Sequence, residues 1–297
     1  MTVHGLFGPS PRAVHVWPVR VEAPEDVAAS YESILAPDEL DRAARFRLTN
    51  QRKDFVITRC VLRSVLGRYL GMHPARVRFV YGSKGKPAIS PAFGIQFNLA
   101  HSGAMVVIAV AAGCPVGIDL EYIRRLPDLQ DVAERFFCAE EFDDLKSLLP
   151  GEQQGAFFRG WTRKEAFVKA SGEGLSEPLG GFRVTIQPRE PARLVHIGDN
   201  RDAAKGWTLH DLFLAPDYAA ALAYPDRACS LTVFPMANSA ELLSDDFFVM
   251  GLHLPLRGLA RLHGSRHNDL PSHLTSKSAF AGDKSANISL HLERHTE

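Results

Sequence analysis

The chain has few cysteines and no surplus of either charge, and both features exclude classes of function. Four of the 297 residues are cysteines, and none of them forms the C-x-x-C pair of zinc and redox motifs. Lys and Arg together number 34, as do Asp and Glu, so bulk charge gives no attraction to polyanions and any phosphate site must be local. We therefore expect reduced thiols and no nucleic-acid partner. The cysteines are Cys60, Cys114, Cys138 and Cys229.

The sequence also lacks the patterns of a membrane span and of a leader peptide. The longest apolar run, residues 105–118, is interrupted by Gly113 and Pro115 and is too short to cross a bilayer. Residues 1–19 contain no basic flank followed by an apolar core. These absences predict a cytoplasmic protein that does not associate with membranes.

Apolar periodicity predicts an α+β fold made of two similar halves. We expect the halves to span residues 12–112 and 113–225, followed by a disordered tail over residues 226–297. The turn at 113–115 predicts that the strand after it forms a hairpin with the strand before it. Predicted helices lie at 37–46, 52–70, 131–137, 139–149 and 154–170. Predicted strands lie at 14–21, 77–81, 97–99, 105–111, 116–121, 182–186, 207–213 and 218–224.

Two carboxylates end the apolar strand VGIDLE, residues 116–121. Side chains alternate across a strand, so Asp119 and Glu121 project from the same face. They could be two solvated acids at a strand edge. The apolar residues before them instead favour buried acids that need compensation, and a magnesium ion bound to a substrate phosphate would provide it.

The segment GWTRKEAFVKASGEG, residues 160–174, predicts a helix that packs heavily through its aromatic residues. Glu165 and Lys169 are four residues apart and could form a surface ion pair. Alternatively, Glu165 lies at the edge of a buried cleft as a third metal ligand, with Lys164 and Lys169 contacting phosphate oxygens.

Further basic and imidazole groups occur in two loops and on the early helices. His101 lies in the tight turn of FNLAHSG, where it could bond only backbone or could help to hold a phosphate. Lys84 and Lys86 lie in the glycine-rich loop YGSKGKP, which could equally be a solvated turn. The arginines of the early helices are individually uninformative. They include Arg42, Arg45, Arg52 and Arg59.

The order and separation of these segments resemble a known family. FNLAHSG, VGIDLE and WTRKEAFVKASGEGL are similar to the three signature blocks of 4′-phosphopantetheinyl transferases of the surfactin-synthetase-activating type. The blocks RFRLTNQRKDFVITRCVLR, KGKP and RFFCAEEF also match. The resemblance covers roughly residues 12–225 and does not extend to the predicted tail.

The resemblance implies a pseudo-dimer of two α+β halves with coenzyme A bound in the cleft between them. Because both halves are present in one chain, we expect a monomer. The family's Mg²⁺ ligands fall on Asp119, Glu121 and Glu165, and its phosphate-contacting histidine falls on His101.

Other family positions concern the remainder of coenzyme A. Lys164 and Lys169 fall in the helix that contacts the diphosphate and positions the acceptor, and Lys86 falls near the coenzyme. The resemblance also implies that Glu141 is an acid that contacts the metal ligands and not the metal itself. Basic residues that meet the 3′-phosphate end correspond to Arg42, Arg52 and Arg59.

Two residues depart from the family pattern. Ala100 replaces a serine and removes one hydroxyl contact to phosphate. Glu39 occupies a position where some members have lysine, so we expect it to repel the 3′-phosphate.

The implied reaction moves 4′-phosphopantetheine from coenzyme A to a serine of an acyl or peptidyl carrier protein and releases 3′,5′-ADP. Lys169 and His101 would stabilise charge, and Glu165 would accept the serine proton directly or through a metal-bound water. The alternatives are another Mg²⁺-dependent diphosphate enzyme and a non-catalytic module that binds coenzyme A or a carrier protein.

Overall fold

The computed structural model describes residues 12–22, 31–82, 86–172, 179–225 and 229–243. It has the predicted α+β class, with helices packed on sheets whose strand pairings are mainly antiparallel. Lys84 and residues 244–297 of the predicted tail lie outside the described residues.

The first half begins with a strand and contains one long helix. Its strands are β1 (Ala13–Arg20), β2 (Val80–Tyr81), β3 (Pro87–Ala88), β4 (Ile95–Ser102) and β5 (Met105–Ala112). Its α-helices are α1 (Pro37–Ala44) and α2 (Thr49–Leu70), and its 3₁₀ turns are Glu32–Ile34, Pro74–Arg76 and Pro91–Phe93.

The second half has the same general order. Its strands are β6 (Gly117–Tyr122), β7 (Phe182–Val184), β8 (Leu194–Ile197), β9 (Thr208–Asp211) and β10 (Tyr218–Tyr224). Its helices are α3 (Leu129–Phe136), α4 (Ala139–Ser147), α5 (Pro150–Ser171) and α6 (Arg201–Lys205), with a 3₁₀ turn at Leu179–Gly181. A last segment adds β11 (Ser230–Val233), β12 (Ala237–Asn238) and α7 (Ser239–Leu243).

The long helices α2 and α5 each contain 22 residues and end in the same way. Gly71 and Gly172 follow them with φ angles of 62° and 74°, a left-handed conformation that glycine adopts without a Cβ clash. Pro150 occupies the first turn of α5, where a missing amide hydrogen costs nothing. The sequence thus sets both ends of α5.

The strands form two main sheets with equivalent pairing. In the first sheet, β5 lies between β1 and β4, and both pairings are antiparallel. In the second sheet, β10 lies between β6 and β9, again antiparallel. In each sheet, therefore, the first strand of the half pairs with the last, and the last pairs with the strand before it.

The predicted hairpin between β5 and β6 is wrong. Both edges of β5 are already occupied by β1 and β4, so the chain crosses to the second sheet after Gly113. There β6 pairs with β10, which places Asp119 opposite Ala221.

The prediction that a disordered tail starts at residue 226 is wrong, because residues 229–243 form regular structure. β11 pairs in parallel with the free edge of β1, and Phe234 stacks on Trp17 with ring centroids 4.0 Å apart. Leu242 of α7 is buried in the cluster beneath helix α2. Residues 229–243 therefore belong to the fold of the first half.

Three apolar clusters form the core. One lies between α2 and the first sheet, one between α5 and the second sheet, and one between the two sheets. The third cluster joins β4 and β5 to β6 and β10, so the two halves share buried surface. No described helix combines the length and apolarity that a membrane crossing requires.

Candidate active site

Gly117 allows strand β6 to lie directly on helix α5. A Cβ at this position would overlap the carbonyl oxygen of Ala166 and the amide nitrogen of Ala170. Only glycine therefore permits this separation of the two backbones. The close approach brings the following residues of β6 alongside Glu165 and Lys169.

Three acidic side chains are buried at this contact. Asp119, Glu121 and Glu165 are 5%, 7% and 6% exposed, respectively. Within the described residues, Asp119 Oδ2 and Glu165 Oε1 have no hydrogen-bond partner. Buried carboxylate oxygens without partners are costly, so this cluster is built at the expense of stability.

Two cations partly compensate the acids. Lys169 Nζ lies 2.6 Å from Asp119 Oδ1, and Arg124 Nη1 lies 3.7 Å from Glu121 Oε2. Ser102 Oγ is 3.5 Å from the same Glu121 oxygen. Ser102 belongs to the turn FNLAHSG that the sequence singles out, whereas no sequence pattern indicates Arg124.

Burial raises the pKa of all three acids. Burial raises the pKa of Glu121 to about 8, and the charge of Asp119 adds to the rise. Burial raises the pKa of Glu165 to about 7, against the lowering effect of Lys169. Burial disfavours the ammonium of Lys169, but Asp119 and Glu165 outweigh it and raise the Lys169 pKa. The cluster therefore favours added positive charge.

The donor chemistry fits a hard divalent cation, because Mg²⁺ is bound by carboxylate oxygens and water. The two unpartnered oxygens of Asp119 and Glu165 are suitable donors. Across the described ranges, however, no three His, Cys, Asp or Glu side chains are placed to hold a metal ion as they stand. The arrangement therefore supplies the donors, and the carboxylates would have to turn toward a cation.

Lys86 reaches this region from the first half, whose strand β4 also carries His101. His101 is exposed near the end of β4, next to Ser102. Lys86 Nζ donates a 2.7 Å hydrogen bond to the carbonyl oxygen of Lys169, in the last turn of α5. Lys86 and Gly172 also line a cavity of about 290 Å³ between the two halves.

Lys164 does not face the acid cluster, which corrects its predicted contact with the diphosphate. Its Nζ is fully buried and donates to the carbonyl oxygens of Leu179 and Phe182 at 2.7 and 2.6 Å. It also lies 2.8 Å from Glu141 Oε2. The neighbouring Glu165 points elsewhere because successive helical residues differ in direction by about 100°.

Glu141 is likewise a buried structural group. It accepts hydrogen bonds from the amides of Cys138 at 2.9 Å and Val184 at 2.7 Å, which tie helix α4 to strand β7. Its pairing with Lys164 places it in the core of the second half, and the predicted position behind the metal ligands is wrong.

Glu39 is buried and neutralised, so its predicted repulsion of the 3′-phosphate is wrong. Its two carboxylate oxygens accept hydrogen bonds from Arg59 Nε at 2.7 Å and Arg63 Nε at 2.6 Å. Glu39 is 2% exposed. The predicted phosphate contact of Arg59 would have to compete with this ion pair.

The other predicted arginines have separate partners. Arg52 is exposed and forms a 2.6 Å ion pair with Glu32. The Arg42 guanidinium is exposed and lies 5.3 Å from the ring centroid of Phe55. The described contacts do not bring Arg42, Arg52 and Arg59 together around one point, and their role stays a prediction.

Ala100 lies in the core between the sheets. It is 6% exposed, whereas the adjacent His101 is exposed. Because adjacent strand residues face opposite sides, a serine at position 100 would point away from the side of His101. It would face strand β6 instead, as Asn98 and Ser102 do, and the expected loss of a phosphate contact at Ala100 stays a prediction.

Comparisons with known proteins identify relatives of both halves. A family model described as the 4′-phosphopantetheinyl transferase superfamily matches residues 115–223. A second, described as the N-terminal part of 4′-phosphopantetheinyl transferase, matches residues 24–113. The two matches meet where the chain crosses between the sheets.

Individual relatives carry the same description. The 4′-phosphopantetheinyl transferase HetI of Nostoc sp. is 41% identical over 207 residues, covering 69% of this chain and 83% of HetI. The transferase Sfp of Bacillus subtilis is 32% identical over 156 residues, covering 52% of this chain and 68% of Sfp. Among solved structures, the Thermotoga maritima holo-[acyl-carrier-protein] synthase is 21% identical, with a TM-score of 0.31 over 39% of this chain and 65% of that one.

Proposed function

Because the chain belongs to the 4′-phosphopantetheinyl transferase superfamily, we propose that it transfers 4′-phosphopantetheine from coenzyme A to a serine of an acyl or peptidyl carrier protein. The released product is 3′,5′-ADP, and the reaction depends on Mg²⁺. The observation that carries this proposal is the buried cluster of three acids with two unpartnered carboxylate oxygens.

The two halves form a pseudo-dimer with the substrate cleft between them. Their equivalent strand pairing and the equal length of α2 and α5 support this proposal. The cavity lined by Lys86 and Gly172 opens beside the last turn of α5, close to Lys169. Coenzyme A would occupy this region, with its diphosphate directed at the acids. We expect a monomer, because one chain supplies both walls of the cleft, and we place it in the cytoplasm.

Asp119, Glu121 and Glu165 are the residues that would hold Mg²⁺. When bound, the ion supplies positive charge to the diphosphate and to the leaving phosphate. The 2.6 Å bond from Lys169 Nζ to Asp119 Oδ1 supports a role for this ammonium beside the diphosphate. Lys169 and the exposed His101 donate hydrogen bonds to phosphate oxygens as charge develops.

Glu165 is the proton acceptor. A general base must present an available oxygen to the proton, and Glu165 Oε1 has no hydrogen-bond partner within the described residues. It takes the hydroxyl proton of the carrier serine, directly or through a water molecule. The serine oxygen bonds to the phosphorus attached to pantetheine, and the bond from that phosphorus to the bridging oxygen breaks. The electron pair leaves with 3′,5′-ADP.

Incubation with coenzyme A, Mg²⁺ and an apo carrier protein tests the proposal. We expect the carrier to gain the mass of one phosphopantetheine and 3′,5′-ADP to appear in equal amount, with neither product when a chelator removes Mg²⁺. A hydrolase would cleave the diphosphate without the carrier, and a binding module would leave both molecules unchanged. Either of these results would overturn the proposed transfer.

A further inference from the structure

Strands β4 and β6 are joined by side chains although they belong to different sheets. Asn98 Oδ1 accepts a 2.8 Å hydrogen bond from the amide of Ile118. Ser102 Oγ accepts a 2.9 Å hydrogen bond from the amide of Tyr122. Within the described strands, β4 forms its backbone ladder with β5 and β6 forms its ladder with β10. These two hydrogen bonds therefore replace a ladder between the halves.

The side chains of Asn98 and Ser102 supply hydrogen-bond acceptors to backbone amides at the free edge of β6. β6 is the edge strand of its sheet, and the apolar cluster between the sheets covers it. The Ile118 amide is buried and needs an acceptor, which Asn98 Oδ1 provides, and Ser102 Oγ provides one to the more exposed amide of Tyr122. Asn98, Ala100 and Ser102 lie two residues apart, so all three face β6. The small Ala100 between them leaves room for the close approach.

The two joined amides flank both acids of β6. Ile118 precedes Asp119, and Tyr122 follows Glu121. The Ser102 hydroxyl accepts from Tyr122 and can donate its hydrogen to Glu121 Oε2, 3.5 Å away. The section of strand that carries the acids is thus attached to the first half at each end.

We propose that Asn98 and Ser102 are positioning residues that hold β6 against the first half and fix Asp119 and Glu121 relative to His101. His101 lies on β4 immediately before Ser102 and faces the opposite side of that strand, so the same hydrogen bonds fix the backbone of His101 relative to the acids. The predicted effect of these two hydrogen bonds on the transfer rate rests on the proposed function. Their predicted effect on hydrogen exchange at the Ile118 and Tyr122 amides does not rest on it.

The test combines amide exchange with kinetics in the full chain. Ser102→Ala should increase hydrogen exchange at the Tyr122 amide about three- to tenfold, the usual result of losing one hydrogen bond. Asn98→Ala should do the same at Ile118. Ser64→Ala is the matched control, because it removes a buried hydroxyl from helix α2, away from β6. It should leave exchange at both amides unchanged.

Transfer should change in a way that a purely structural role would not produce. We expect Ser102→Ala to lower kcat about tenfold, because displaced catalytic groups act mainly on the reacting state. KM for coenzyme A should change less than about threefold, since the groups of the coenzyme cavity stay in place. Ser102→Thr keeps the hydroxyl and should restore both exchange protection and kcat.

Clear outcomes would overturn the inference. Unchanged exchange at Tyr122 in Ser102→Ala would show that the hydrogen bond does not hold the strand. Faster exchange with a wild-type kcat would show that the two hydrogen bonds do not position the acids. If the wild-type protein transfers nothing, the proposed function fails, whereas the exchange measurement still decides whether these hydrogen bonds exist.

Discussion

Replacing Glu165 by glutamine should stabilise the metal-free protein while it abolishes transfer. The Glu165 carboxyl is 6% exposed, and burial raises its pKa from 4.5 to about 7. That difference corresponds to roughly 3 kcal/mol of unfavourable ionisation in the folded state. The buried glutamine amide keeps a polar group to satisfy, at a cost of about 1 kcal/mol. The net gain at pH 8 is therefore about 2 kcal/mol.

The gain has a defined pH dependence. Between pH 4.5 and about 7 the folded state holds the Glu165 proton more strongly than the unfolded chain, so this carboxyl lowers stability as pH rises through that window. The advantage of Glu165→Gln should be full above pH 7, should vanish near about pH 5, and should become a loss of about 1 kcal/mol below pH 4.5. Thermal melts in EDTA should show Tm raised by about 4–8 °C at pH 8.

The control is Glu134→Gln, which changes an exposed glutamate on α3 and should shift Tm by less than about 1 °C. Mg²⁺ should raise the Tm of the wild type more than that of Glu165→Gln, because the variant lacks one carboxylate donor. A lower Tm for Glu165→Gln at pH 8 in EDTA would refute the claim that the acids are held at the expense of stability.

Three other substitutions probe the supports of the site. Lys164→Met should lower the free energy of urea unfolding by about 3–5 kcal/mol, because it leaves Glu141 as an unpaired buried charge. Adding Glu141→Gln should recover part of this loss. No recovery in the double variant would count against the ion pair. Gly117→Ala should cost about 2–3 kcal/mol in the same assay, because its Cβ would strike the backbone of Ala166, and wild-type stability would contradict the close strand–helix contact. Lys86→Met should weaken coenzyme A binding about tenfold by calorimetry, with Lys86→Arg retaining most of it, and equal affinities would remove Lys86 from the coenzyme site.

Sequence periodicity predicted the elements of the fold better than their partners. The strand Tyr218–Tyr224 agrees with the predicted strand at 218–224, and the long helices α2 and α5 extend a few residues beyond the predicted ranges. The partner of β6 was missed because pairing depends on which strand edges remain open, and that is a property of the whole sheet. The same holds for β11, which completes the open edge of β1 from a segment with weak periodicity.

At the site, strand alternation correctly put Asp119 and Glu121 in one environment, where the charge of Asp119 raises the pKa of Glu121. Helical spacing could not show which of Lys164 and Lys169 faces the acid cluster. Both lie near Glu165 in sequence, yet one ammonium pairs with Glu141 in the core and the other with Asp119. The packing of the second half decides the direction of each lysine side chain, and no local sequence pattern encodes that packing.

The central claim is that the buried acids of β6 and α5 carry a Mg²⁺-dependent transfer to a carrier protein. The most direct measurement compares the wild type with Asp119→Ala in coenzyme A, Mg²⁺ and apo carrier protein, with circular dichroism confirming that both are folded. We predict that the wild type adds phosphopantetheine to the carrier, and that the folded variant does so at least about a thousandfold more slowly. A folded Asp119→Ala variant that modifies the carrier at the wild-type rate would contradict the account.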